Sequence, residues 1–124
     1  MKRVILDTNF LTLPHQFGID IFEEIPKMVE ERCELVSLDS VINELEKIRE
    51  KGGLDGISAK IALNLVEAKG IKILRTKGPT DEEILRMSDK NTIVATNDRN
   101  LIKKLKDKNV KVIYLRGKNR LEMM

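Results

Sequence analysis

The sequence predicts an α/β fold of three layers (α/β/α), with a central parallel five-stranded sheet between two sets of helices. Three observations lead there. Short apolar runs such as Val4-Ile5-Leu6 and Thr92-Ile93-Val94-Ala95 end at polar turn residues, as buried strands do. Between them lie stretches whose apolar residues recur every three or four positions, the mark of amphipathic helices. The resulting order, β-α-β-α-α-β-α-β-α-β, demands crossover connections, and crossovers make strands parallel and cover both sheet faces.

The elements follow in order. Val4-Ile5-Leu6 is a first strand that stops at Asp7-Thr8-Asn9. From Ile19 to Glu31, Ile21, Phe22, Ile25, Met28 and Val29 form the apolar stripe of a helix bent by Pro26. Glu34 to Leu38 reads as a second strand. Asp39-Ser40 caps a helix carrying Val41, Ile42, Leu45 and Ile48, which Lys51-Gly52-Gly53 ends. Ser58 opens another helix, with Ile61, Ala62, Leu65, Val66 and Ala68, stopped at Gly70. Ile71 to Leu74 is a third strand, and Gly78-Pro79 a loop. Thr80 caps a helix with Asp81, Glu82 and Glu83 in its first turn, where carboxylates suit the helix dipole. Thr92 to Ala95 is a fourth strand ending at Thr96-Asn97-Asp98. Leu101, Ile102 and Leu105 mark a last helix, and Val110 to Leu115 a fifth strand.

At 124 residues the chain is expected to fold as a single domain over residues 1–124, with no linker or repeat. Hydrophobic residues make up 41% and charged residues 35%, which argues against disorder. No apolar run approaches the ~20 residues of a membrane span, and charged Asp7 comes too early for a signal-peptide apolar region. A soluble cytoplasmic protein, away from membranes, is therefore expected. One cysteine and one histidine exclude a disulfide framework and a Cys/His zinc site, so any metal must be held by oxygens.

Charge is unevenly distributed. Residues 99–124 hold nine Lys/Arg against two acids, a net +7, while the remainder carries 14 basic and 18 acidic residues, a net −4. A basic block of this kind is either a solvated surface or an attractor of polyanions.

In open parallel sheets, sites form outside the carboxyl ends of the strands. That rule selects Asp7, Glu44 in the helix after strand two, Asp81/Glu82 after strand three, and Asp98 after strand four. Each alone has an ordinary reading as a turn former, surface charge or helix cap. Together they crowd like charges, which raise one another's pKa unless a cation neutralises them. Oxygen donors favour Mg2+ or Mn2+ over zinc. Such a centre supplies hydroxide and stabilises phosphorane charge in phosphodiester cleavage, with no nucleophilic side chain required. None is evident: there is no serine or cysteine elbow and no phosphate-binding glycine loop, and the only histidine, His15, lies beside Pro14.

Four segments now carry a resemblance. Val4-Ile5-Leu6-Asp7-Thr8-Asn9, Val41-Ile42-Asn43-Glu44-Leu45, Asp81-Glu82-Glu83-Ile84-Leu85 and Val94-Ala95-Thr96-Asn97-Asp98-Arg99-Asn100-Leu101 resemble, in order and spacing, the acidic motifs of PIN-domain ribonucleases. Leu13-Pro14-His15-Gln16-Phe17 with Asp20-Ile21-Phe22 further resembles archaeal relatives of the rRNA-processing PIN nucleases. The resemblance implies a Mg/Mn-dependent endoribonuclease in which Asp7, Glu44 and Asp98 bind metal and act in catalysis, and Thr8, Asn9 and Thr96 orient ligands or water. The third acid departs from the family's Asp-Asp or Asp-Ala. Counting back from Ile84 favours Glu82, with Asp81 beside it, and leaves both open. A longer glutamate arm there implies altered metal geometry and weak activity.

The expected partner is RNA, with ribosomal precursor RNA as the narrower expectation, and with Lys103, Lys104, Lys106, Arg116 and Lys118 of the basic block as its contacts. The resemblance also implies a homodimer. Two alternatives stay open: an RNA-binding ribosome-assembly factor of little or no activity, and a VapC-type toxin ribonuclease held by an antitoxin. A phospho-acceptor receiver wants an aspartate where Leu74-Arg75 stand, and a dehalogenase-like phosphatase wants a second aspartate where Asn9 stands, so both fail.

Overall fold

Strand β1 (Lys2–Leu6) lies in the middle of the molecule because Val4, Ile5 and Leu6 have no exposed surface and need cover on both faces. The computed structural model describes residues 1–124. β1 pairs in parallel with β2 (Cys33–Leu38) on one side and β4 (Thr92–Ala95) on the other. β3 (Lys72–Leu74) extends the sheet beyond β2, and β5 (Lys111–Arg116) extends it beyond β4. β6 (Arg120–Met123) closes the far edge, antiparallel to β5, giving the order β3-β2-β1-β4-β5-β6. The chain thus winds outward from β1 in one direction and then returns to wind outward in the other. Its reversal point lies between β1 and β4, where open sheets leave a crevice at the strands' carboxyl ends. In register, Leu6 faces Ala95, so Asp7 and Thr96 emerge side by side.

Helices connect these strands: α1 (Thr8–Leu11), α2 (Leu13–Phe17), α3 (Ile21–Met28), α4 (Asp39–Lys51), α5 (Gly53–Ala68), α6 (Thr80–Met87) and α7 (Arg99–Asp107). Their buried residues, among them Phe10, Leu11, Ile25, Leu45, Ala62, Ile84, Leu101 and Leu105, join the strand residues in one core cluster. The α4–α5 hairpin is tight because Gly52 and Gly53 take positive φ of 75° and 70°, where side chains are disfavoured. The helices also approach closely at Gly56, whose added Cβ would lie 3.1 Å from the Arg49 carbonyl oxygen. No helix is long and apolar enough to cross a membrane.

The three-layer α/β architecture stands as predicted, with corrections. The sheet has six strands and is mixed, not five and wholly parallel. β6 escapes a periodicity reading because Arg-Leu-Glu-Met is short and half charged; it forms through the turn at Gly117, with Arg116 and Arg120 both paired to Glu122 at 3.0 Å. Residues after β1 form two short helices that periodicity does not predict, α1 and α2, with Pro14 in the first turn of α2, where its missing N–H costs nothing. α3 is shorter than the 19–31 stretch. α5 starts at Gly53, five residues before Ser58, since paired glycines turn the chain without unwinding it. Thr80 is not a cap: Pro79 occupies that position and the Thr80 hydroxyl is used elsewhere.

Candidate active site

Asp7 follows β1 directly and is only 5% exposed. Its Oδ1 accepts from Thr8 N at 2.8 Å and its Oδ2 from Thr96 Oγ1 at 2.7 Å. Burial pushes its pKa up to about 6 against the pull of those two bonds, and the nearby charges of Asp81 and Glu44 push the same way. Thr96 is wholly buried and also accepts from Asp98 N at 3.2 Å, so one hydroxyl ties the end of β1 to the start of α7.

Asp98 is the N-cap of α7, its Oδ1 accepting from Asn100 N at 2.9 Å and Leu101 N at 3.1 Å. The capping reading and the site reading hold together, because capping uses one carboxylate oxygen. Glu44 projects from the second turn of α4. Thr8 Oγ1 donates to its Oε2 at 2.5 Å and Thr80 Oγ1 to its Oε1 at 2.8 Å. Asn9 Oδ1 accepts from Asn97 N at 3.0 Å, and Asn97 Oδ1 from Leu115 N at 2.8 Å, which pins the loop after β4.

The acids at positions 81 to 83 diverge. Glu83 accepts from Lys77 N and Gly78 N and pairs with Arg86, so it builds the loop before its own helix. Glu82 is exposed and does not line the cleft, whereas Asp81 reaches it. The helical turn separates the neighbours by about 100°, which is why counting along the sequence cannot choose between them. Asp81 has its pKa raised by burial, then by Asp98 and Glu44, with Lys104 opposing. Asp39 holds the 75–80 segment in place from α4, accepting from Thr76 N and Thr76 Oγ1, and so brings the start of α6 beside Glu44.

Asp7, Glu44, Asp81 and Asp98 therefore line one cleft of about 560 Å³ together with Thr8 and Asn9. A fifth carboxylate, Asp55, which escapes a sequence reading, and a cation, Lys51, line the same cleft. The signal for Asp55 is the double glycine that folds α5 back along α4. None of the five acids forms an ion pair within the protein.

No three Asp, Glu, His or Cys side chains are placed to hold one metal ion directly. Hydrogen bonds hold each carboxylate in place: Asp7 accepts from Thr8 and Thr96, Glu44 from Thr8 and Thr80, and Asp98 from the start of α7. The donor chemistry still fits a hard cation, because all donors are oxygens, the charges are uncompensated, and magnesium keeps several waters and takes one or two carboxylates directly.

Beside this cleft lies a larger groove of about 820 Å³, whose walls share Asn9, Thr12 and Gln16 with it. Lys103, Lys106 and Arg116 line the groove, and so does Arg99, which the sequence offers only as part of the fourth motif and the basic block. Lys104 and Lys118 are exposed and line neither cavity.

Comparison with known proteins adds to this geometry. A sequence family described as "PIN like domain" matches residues 4–118. Ribonuclease VapC4 of Methanocaldococcus jannaschii is 34% identical over 128 residues, an alignment covering 99% of this chain and 97% of that protein. Among solved structures, the PIN domain endonuclease Utp24 superposes with a TM-score of 0.79 at 28% identity, over 98% of this chain and 90% of the other. VapBC-1 from nontypeable Haemophilus influenzae, at 15% identity and a TM-score of 0.52 over 85% of this chain and 93% of that one, shares the fold.

Proposed function

This chain belongs to the PIN-like domain family, and on that premise we propose that it is a metal-dependent endoribonuclease cleaving RNA phosphodiester bonds at the Asp7 cleft. The observation that carries the reading is the state of Asp7: a buried carboxylate, oriented by two donors at 2.7 and 2.8 Å, sharing its cleft with four further acids that have no ion-pair partner. A structural aspartate at a strand end needs no such company. VapC4 and Utp24, a ribonuclease and an endonuclease by name, support the same chemistry.

Asp7, Glu44, Asp81 and Asp98 would hold Mg2+ or Mn2+, partly through water. When bound, the ion supplies a water of lowered pKa and stabilises charge on the phosphorus centre. Thr96 holds the Asp7 carboxylate in one orientation, and Thr8 and Thr80 do the same for Glu44. Asn9 fixes the loop that presents Asp98. Glu82 lies outside the cleft and has no role in this reading.

Cleavage of a mixed RNA pool with magnesium or manganese tests the proposal, with Asp7→Asn as control. Cutting by the wild type and not by the variant supports it. Binding without cutting would favour the second reading, an assembly factor that has kept the fold, for which the separated carboxylates speak. For the biological setting, cutting confined to precursor rRNA transcripts supports a processing role. Growth arrest on expression, relieved by Asp7→Asn, supports a toxin role with an antitoxin partner.

A further inference from the structure

We propose that the groove beside the acidic cleft is a nucleotide subsite, in which one base of a single-stranded RNA stacks on Phe17 and Tyr114 while its flanking phosphate meets Arg99, Lys103 or Lys106. This rests on the ribonuclease reading and extends it to how the strand is held. Four aromatic residues exist in the chain, and Phe10 and Phe22 are buried in the core. The other two both line this groove. Phe17, 41% exposed at the end of α2, offers a ring to solvent just before Gly18 turns the chain. Tyr114 stands on β5 with its hydroxyl donating to Glu122 Oε2 at 3.0 Å, which keeps its ring in place.

Charge separates the two cavities. The acidic cleft has five carboxylates and one cation, whereas the groove has four cations and no Asp or Glu. A scissile phosphate at the cleft is drawn there only through a metal; its neighbour needs protein cations, and the groove supplies them within one continuous surface. Asn9 at the seam and Asn97 on the groove commit their amide oxygens to backbone N–H groups, which leaves their NH2 groups as donors to phosphate or base oxygens. A volume of about 820 Å³ is in the range of small-ligand sites. A low aromatic content suggests little stacking, but concentrating two of four rings at one place reverses that expectation.

The test measures binding of a fluorescently labelled, mixed-sequence RNA oligonucleotide to full-length Asp7→Asn protein in EDTA, so that neither metal nor cleavage enters. Adding Phe17→Ala should weaken affinity about fivefold to a hundredfold, the range of one base stack, without changing the salt dependence. Phe17→Tyr should restore it. Arg99→Gln or Lys103→Gln, exposed changes that leave folding intact, should instead reduce the salt slope. Unchanged affinity in Phe17→Ala, with Arg99→Gln also silent, overturns the subsite, as does a parent protein that binds no RNA. If wild type cuts RNA while those variants bind normally, the subsite fails and the nuclease stands. If binding depends on Phe17 but no metal gives cleavage, the nuclease reading fails and the subsite stands.

Discussion

Thr96 Oγ1 donates to Asp7 Oδ2 at 2.7 Å across the β4–β1 boundary, the reversal point of the sheet, and accepts from Asp98 N at 3.2 Å. Thr96→Val keeps the shape and removes both bonds. A buried carboxylate left without this donor should cost about 1–3 kcal/mol of stability, since bonds to charged groups lie at the upper end of hydrogen-bond energies. Urea unfolding at pH 8 measures it. The deficit should shrink as pH falls through the folded pKa of about 6, where Asp7 takes up its proton in the folded state of both proteins.

Asp7 also makes stability depend on pH. Its folded pKa, about 6, lies above the unfolded value of about 3.9, so the folded state binds the proton more tightly. The penalty for ionising it is therefore full above pH 6 to 7 and fades as pH falls through the folded value toward 4. In metal-free protein, Asp7→Asn should stabilise by up to roughly 3 kcal/mol at pH 7.5 and little at pH 4. Denaturation of both proteins across that window checks the sign; a variant no more stabilised at pH 7.5 than at pH 4 contradicts it.

Divalent metal should raise the melting temperature at neutral pH by relieving repulsion among Asp7, Glu44, Asp81 and Asp98. At a hundred times its Kd the gain is about 2.7 kcal/mol. Calorimetric scans in EDTA and in millimolar manganese make the comparison, and the gain should disappear in Asp7→Asn.

Asp81 and Glu82 should separate cleanly. Asp81→Asn should lower kcat/KM by on the order of 10- to 100-fold, as loss of outer-sphere metal partners does. Glu82→Gln should leave it near wild type. Initial cleavage rates at several manganese concentrations distinguish them, and equal loss in both variants would remove Asp81 from the site.

Replacing Lys103 and Lys106 with Gln should weaken RNA binding and flatten its salt dependence by ~0.7 log unit per log unit of salt for each phosphate no longer neutralised. Lys118→Gln, outside both cavities, should have little effect. Affinity measured over a series of salt concentrations gives the slopes.

The layer architecture, the five parallel strands and the acids at 7, 44 and 98 are legible in the linear sequence. Strand-length apolar runs and helical spacing are local signals, and a strand end marks its own first polar residue. What lies beyond reach depends on contacts between distant segments. Arg-Leu-Glu-Met becomes a strand only because β5 offers it an unpaired edge. Asp81 enters the cleft while Glu82 stays outside it because Asp39, Thr76 and Glu83 anchor the loop that leads into α6. Asp55 reaches the same wall because two glycines fold α5 back on α4, and Phe17 and Tyr114, from opposite ends of the chain, line one groove only once α2 and β5 are packed into the same molecule. Side-chain chemistry is therefore written in the sequence, but which neighbours share a cavity is decided by packing, since a rotation of one helix position moves a carboxylate from the cleft to solvent.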